Sequence, residues 1–265
     1  SLSVPFKQIS EAFEKAYPGV DVVCEAAGSR MCARKISDLN RSCDIFASAD
    51  YTVIDELLIP DHAKWNIRFA GNEMVIAYLD KSAQSKLINS ENWYKILSDR
   101  DVVSARSDPN SDPCGYRSVF VLQLAEKFYD EPGLAKELLD SSEKNIRPKE
   151  VDLLALLEVG EYDYVIIYRS VAVQHNLKFV ELPPEINLSS TEFAEQFESA
   201  SVRLTGKKPG QVITKTASPI VYGVTIPINA PNRTAAEAFL EFLLDHQRGG
   251  KILEKNGQRF VVPQT

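Results

Sequence analysis

Four short turns bring hydroxyls and backbone N–H groups to the starts of expected helices: Ser1-Leu2-Ser3-Val4-Pro5-Phe6, Gly28-Ser29, Ser48-Ala49-Asp50 and Asp112-Pro113-Cys114-Gly115-Tyr116. The first N–H groups of a helix have no partner within it and carry partial positive charge, so such a turn can hold an oxyanion without a cation. In the first turn Ser3 reads as the N-cap, Pro5 suits the first helical turn, and Phe6, Ile9, Phe13, Ala16 and Tyr17 follow at helical spacing. A lone serine before a helix is ordinarily a cap and nothing more. Four such turns, three of them after expected strands, favour a site for a small anion.

Two acids sit among these turns. Asp112 precedes Pro113, in a turn whose Cys114 and Gly115 N–H groups are expected to face a ligand, and Glu150 opens a helix. Taken singly, each is explained by helix-start electrostatics, worth about 0.3–1 kcal/mol. Two carboxylates would repel a bound oxyanion, unless they are protonated or reach a metal centre inside it. Tyr168 ends an expected strand before Arg169-Ser170, where a phenol can either donate to an oxyanion or pack at an interface, and Arg169 can pair with an acid. Arg30, Arg34 and Lys35 follow Ser29, and helical spacing turns at least two of them to solvent.

Enzyme chemistry finds little footing. Cys114 at a helix start is the one candidate nucleophile, but neither His62 nor His175 lies in a segment resembling a catalytic loop. No nucleophile elbow, phosphate-binding glycine loop or dinucleotide fingerprint appears. Cys24, Cys32, Cys43 and Cys114, with three histidines in all, lack zinc-ligand spacing. A disulfide among the first three requires an oxidising compartment, and its pairing is open.

The elements that must position these residues follow from a chain of 265 residues, long enough for one large or two modest domains. A net charge of −7 and the absence of a Lys/Arg run argue against a nucleic-acid partner. The longest apolar stretches fall short of a membrane span. Beginning at Ser1 without an initiator Met, the chain is expected to be a processed or trimmed product, in keeping with export.

The first 80 residues alternate helix and strand: a helix near 5–17, a strand over 20–26, a helix near 30–39, a strand over 44–47 and a helix near 51–58. That rhythm predicts a mostly parallel sheet covered by helices, with the ligand crevice beyond the carboxyl ends of the strands. A strand at 73–78 is assigned to the same lobe. The pattern restarts near 80 with a helix at 93–97, a strand at 102–105 and helices over 119–129 and 134–139. A helix over 151–157 closed by Gly160 then leads into a strand at 164–168. Residues 183–218, richer in Pro, Ser, Gly and Lys, read as an irregular excursion; a strand from Val221 and a helix near 234–245 end the chain. The expected organisation is lobe I from 1–79 plus 219–265, lobe II from 80–182, and a hinge with a ligand cleft.

Taken in order, the Ser1-Leu2-Ser3 start, Ala26-Ala27-Gly28-Ser29 with Ala33-Arg34-Lys35-Ile36, Ala47-Ser48-Ala49-Asp50, Asp112-Pro113-Cys114-Gly115-Tyr116-Arg117, Glu150-Val151-Asp152-Leu153-Leu154, Tyr168-Arg169-Ser170 and Pro219-Ile220-Val221-Tyr222-Gly223-Val224 resemble the archaeal-type molybdate/tungstate-binding proteins (the ModA/WtpA group) of ABC transporters. The likeness covers nearly the whole chain. It implies an α/β, type II periplasmic-binding-protein fold and a non-enzymatic, monomeric receptor without a cofactor of its own. It also implies capture of molybdate or tungstate outside the cytoplasm and delivery to a permease. In that group two carboxylates add to the four oxo groups of the anion. Carried over by motif, these are Asp112 and Glu150, which removes the repulsion puzzle because a hard, electron-poor metal centre prefers oxygen donors. The oxo groups would take hydrogen bonds from Ser1, Ser29, the Ser48-Ala49 turn, the Cys114 N–H and the Tyr168 hydroxyl. A binder of sulfate or phosphate on the same fold, and an enzyme acting on a small anion, are the alternatives.

Overall fold

The computed structural model describes residues 1–206 and 210–264. Residues 207–209 of the expected excursion and Thr265 lie outside the described residues. The chain divides into two compact units, Ser1–Asn72 with Ile220–Thr265, and Glu73–Pro219.

The first unit opens with α1 (Ser3–Ala16), α2 (Ser29–Ser37), β1 (Phe46–Ser48), α3 (Thr52–Leu57) and β2 (Ile67–Gly71). After the second unit it resumes with β10 (Val221–Thr225), α10 (Arg233–Leu244), α11 (Lys251–Lys255) and β11 (Arg259–Gln264). The sheet order is β1-β10-β2-β11, and every neighbouring pair is antiparallel. The parallel sheet expected from the helix–strand rhythm is therefore not formed by neighbours here, because the returning strand β10 inserts between β1 and β2. The expected strand at 20–26 is not formed either; the segment is mostly exposed, with Val23 at 87%.

The core of this unit follows from the apolar stripe of α1. Phe13 is fully buried and its ring lies 5.2 Å from Phe239 and 5.6 Å from Phe242, both on α10. Ala33 and Ile36 of α2 join Phe46, Val53, Ile54 and Leu57 in a second buried cluster, against which Cys32 and Cys43 pack. None of the four cysteines, all among the described residues, is joined in a disulfide, and burial pushes the Cys43 thiol up to about 11.

The second unit comprises β3 (Met74–Tyr78), α4 (Trp93–Leu97), β4 (Ser104–Ser107), α5 (Pro113–Phe128), α6 (Leu134–Ser141), β5 (Ile146–Arg147), α7 (Glu150–Val159), β6 (Tyr164–Tyr168), α8 (Arg169–Gln174), β7 (Lys178–Glu181), α9 (Ala194–Phe197), β8 (Ser201–Thr205) and β9 (Val212–Thr216). Its main sheet runs β5-β4-β6-β3-β7. β5 and β6 flank β4 in parallel, whereas β3 is antiparallel to both β6 and β7. Two expectations about the division are corrected. The strand at 74–78 belongs to the second unit, because both of its partner strands lie there. Residues 183–218 belong there too, and they contain the β8–β9 hairpin. That hairpin is fastened to its own unit by a reciprocal pair: the Ser201 N–H donates to Gln123 Oε1 at 2.8 Å and Gln123 Nε2 donates to the Ser201 carbonyl at 3.0 Å. The Thr205 N–H adds a bond of 2.9 Å to Asn110 Oδ1.

Candidate functional site

Two groups of the expected site residues are assembled, one in each unit. In the first unit the turns before α2 and α3 meet. Gly28 caps α2, Ser29 is its first residue, and the Ala49 N–H donates to Ser29 Oγ at 3.0 Å. Ser48, at the end of β1, donates its hydroxyl to the Asp50 carbonyl at 2.6 Å and accepts from the Asp50 N–H at 3.2 Å. Asp50 Oδ1 in turn accepts from the N–H of Thr52, the first residue of α3, at 2.9 Å. Ser29, Ser48 and Ala49 thus form one small, buried, hydrogen-bonded cluster. Ser1 is buried, and its carbonyl accepts from Gln258 Nε2 at 2.8 Å. Ser3 is not the N-cap of α1: Leu2 holds that position and Ser3 is already helical. Of the three cations after Ser29, Arg30 is the fully buried one, held by Glu56 at 2.9 Å, while Arg34 pairs with Asp38 and Lys35 with Glu25.

In the second unit the carboxyl ends of three parallel strands converge. β4 ends at Ser107 and the chain turns through 108–112 into α5; β5 ends at Arg147 and the chain enters α7 at Glu150; β6 ends at Tyr168. The register fixes this edge, since Ser107 pairs with Arg147 and Ala105 with Val165. Asp112, Glu150 and Tyr168 are therefore placed beyond, or at, the carboxyl ends of adjacent strands.

Asp112 is the N-cap of α5 and accepts from the Cys114 N–H at 3.1 Å, while the Gly115 N–H donates to the Asp112 carbonyl at 3.0 Å. The two N–H groups expected to face a ligand are thus both engaged within the turn, the first by the Asp112 carboxylate and the second by the Asp112 carbonyl. Asp112 is only 5% exposed, and burial raises its carboxyl above the ordinary value of 3.8 despite the opposing Cys114 N–H, Arg117 guanidinium and Ser107 hydroxyl. The Cys114 thiol is fully buried and also pushed up, by burial first and then by Asp112, so it stays protonated and unreactive.

Helix α5 is buried along its whole first half because it packs on β6. Cys114 Sγ lies 3.6 Å from the Ile166 carbonyl and Ser118 Oγ 3.3 Å from the same oxygen. One turn of helix therefore brings Arg117 to Tyr168, with Arg117 Nη1 donating to Tyr168 Oη at 2.7 Å. Tyr168 is fully buried. Glu150 is half-buried as the first residue of α7, whose other end closes on Gly160 in the left-handed region at φ 89°. Arg169 pairs with Glu73 at 3.2 Å.

Ser107 and Arg117 join the site without having been singled out as functional. The signal for Arg117 was a cation inside a run that otherwise reads as a buried helix; Ser107 left none, since a serine before an Asp-Pro turn is unremarkable.

The profile of bacterial extracellular solute-binding proteins matches residues 1–259. The chain belongs to that family. An uncharacterized solute-binding protein of Petrotoga mobilis is 54% identical over 264 residues, 99% of this chain and 82% of that one. The molybdate/tungstate-binding protein WtpA of Pyrococcus abyssi is 42% identical over 292 aligned positions, 99% of this solute-binding chain and 83% of its own. The resemblance read from the motifs is thus shown. Among solved structures, the periplasmic molybdate-binding protein of Azotobacter vinelandii superposes with a TM-score of 0.71 at 18% identity, covering 99% and 96% of the two chains. The sulfate-binding protein SubI of Mycobacterium tuberculosis gives 0.62 at 14% identity, covering 97% and 83%. The solute-binding fold is the α/β, type II periplasmic-binding-protein fold.

Proposed function

We propose that this solute-binding protein is a non-enzymatic receptor for molybdate or tungstate that works outside the cytoplasm and hands its cargo to an ABC-transporter permease. The observation that carries the reading is the common carboxyl edge of β4, β5 and β6, which presents Asp112, Glu150 and Tyr168 in a chain 42% identical to a protein named for these anions. Asp112 and Glu150 would ligate the metal atom of the cargo. Tyr168, with Ser1, Ser29, Ser48, Ala49 and Cys114, would donate to its oxo groups. In the structure the Ala49 and Cys114 N–H groups are engaged by Ser29 and Asp112, so binding entails exchanging or sharing those bonds. The protonated, buried Cys114 thiol gives no support to a cysteine-based enzyme. The carboxylates also weigh against sulfate, whose small, coordinatively saturated centre gains nothing from them.

Calorimetric titration with tungstate tests this directly. Asp112→Ala and Glu150→Ala should each weaken binding by roughly 100-fold or more, since loss of a ligand should exceed the ~10–100-fold typical of an outer-shell change. Glu195→Ala, which removes an exposed acid of the second unit, should leave it unchanged. Wild-type affinity in both acid variants would defeat the ligation reading.

A further inference from the structure

We infer that Arg117 is a positioning residue that commits the Tyr168 hydroxyl to donate toward the bound oxyanion, an inference that rests on the oxyanion reading above. The argument starts from hydrogen-bond inventory. A guanidinium has five donors and no acceptor, and it does not lose its proton in a protein. In the 2.7 Å contact the Arg117 nitrogen therefore donates and the Tyr168 oxygen accepts. The single phenolic proton then serves any further partner, and Tyr168 meets that partner as a donor. A cationic donor also polarises the phenol, which strengthens the hydrogen bond the phenol gives in turn.

Burial and neighbouring rings hold Arg117 in place. It is 3% exposed and sits on the buried flank of α5, with its guanidinium carbon 5.6 Å from the Tyr168 ring centroid and 5.9 Å from that of Tyr116. Lys215 Nζ, from β9, lies 5.0 Å from the other ring, Tyr116, and so helps to wall in the same side of the helix.

A double-mutant cycle separates this role from a merely structural one. Tungstate, molybdate and sulfate are titrated calorimetrically into the wild type, Tyr168→Phe, Arg117→Gln and the double variant, after each is shown to unfold cooperatively without ligand. Tyr168→Phe and Arg117→Gln should each weaken tungstate binding roughly tenfold, the scale of one hydrogen bond, and the double variant should be no weaker than either single one. Losses that multiply to roughly a hundredfold would show that Arg117 does not act through Tyr168 and would overturn the proposal. Should Arg117→Gln fail to fold, Arg117→Met, which removes every donor, replaces it in the same cycle. The expected result is then a loss with Tyr168 present that vanishes in the Tyr168→Phe background; a full-affinity Arg117→Met would overturn the proposal. A wild type that binds none of the three anions would refute the oxyanion reading and this inference with it, whereas tight wild-type binding with multiplicative losses would refute the role of Arg117 alone.

Discussion

Asp112 carries two duties that conflict. As an N-cap it holds α5 by accepting from the Cys114 N–H, and as a proposed ligand it must be ionised in a place where burial disfavours charge. Its folded-state carboxyl is raised above 3.8, so between that value and the raised one the folded protein binds more protons than the unfolded chain. Stability from this group is therefore fully present below about pH 3.8 and is lost as the pH rises through the folded value. Asp112→Asn keeps the cap, because asparagine serves that position as well as aspartate. We expect the ligand-free variant to gain stability relative to wild type as the pH rises above 3.8, then to hold a constant advantage, in urea unfolding followed across pH. A wild type that gains on the variant over the same range would mean that Asp112 is stabilised by its partners rather than strained by burial. At this scale the motifs picked out the acids, the serines and Tyr168 as candidates, since residue type and position after an expected strand suffice for that. They did not disclose the partners. The Cys114 N–H turning to Asp112 is a local N-cap bond of the kind an Asp-Pro pair signals, whereas Arg117 reaching Tyr168 depends on how α5 lies on β6, which no local pattern encodes.

Helix α5 is the element on which the second unit's site hangs, and its seating depends on Gly115. A Cβ there would stand 2.4 Å from the Asp108 carbonyl carbon and 2.5 Å from its oxygen, backbone atoms of the very turn that leads to Asp112. Gly115→Ala should therefore cost about 1–3 kcal/mol of stability, the range for overpacking, measured by urea unfolding. It should also lower tungstate affinity, because the turn that must shift carries the proposed ligand. Unchanged stability would mean that the 108–112 turn is not pinned against the helix. The longer helices of this unit, α5 to α7, were legible as apolar runs, with Gly160 marking the end of α7, although α5 starts at Pro113, ahead of the expected 119, and the short α8 and α9 were not foreseen. The short or two-residue strands were not. β5 spans only Ile146–Arg147, too brief for any alternation to show. Conversely, 20–26 has the composition of a strand yet pairs with nothing in the sheet, since strand propensity records fitness for a half-buried surface and does not supply a partner.

At the scale of the molecule, chain connectivity makes the two units unequal. The second is one continuous stretch, whereas the first closes only when the chain returns to it. β1 pairs with β10 alone, and β2 pairs with β10 and β11, so every strand pairing in the first unit needs residues beyond 219. Its aromatic core has the same dependence, because Phe13 packs on Phe239 and Phe242. This also explains the misplaced lobe boundary: sequence order alone assigns β3 to the strands just before it, whereas hydrogen-bonded partners assign it to β6 and β7. Each unit holds one tryptophan, Trp65 in the first and Trp93 in the second, so intrinsic fluorescence can report on them separately. A polypeptide of residues 73–219 should fold by itself and unfold cooperatively in urea with Trp93, which is fully buried, as the reporter. Residues 1–72 alone should show no cooperative change at Trp65, and adding residues 220–265 joined by a flexible linker should restore it. If residues 1–72 fold without the returning segment, the antiparallel pairing through β10 is not what holds the first unit together. If residues 73–219 fail to fold, the second unit borrows its stability from the rest of the chain despite containing every strand of its own sheets.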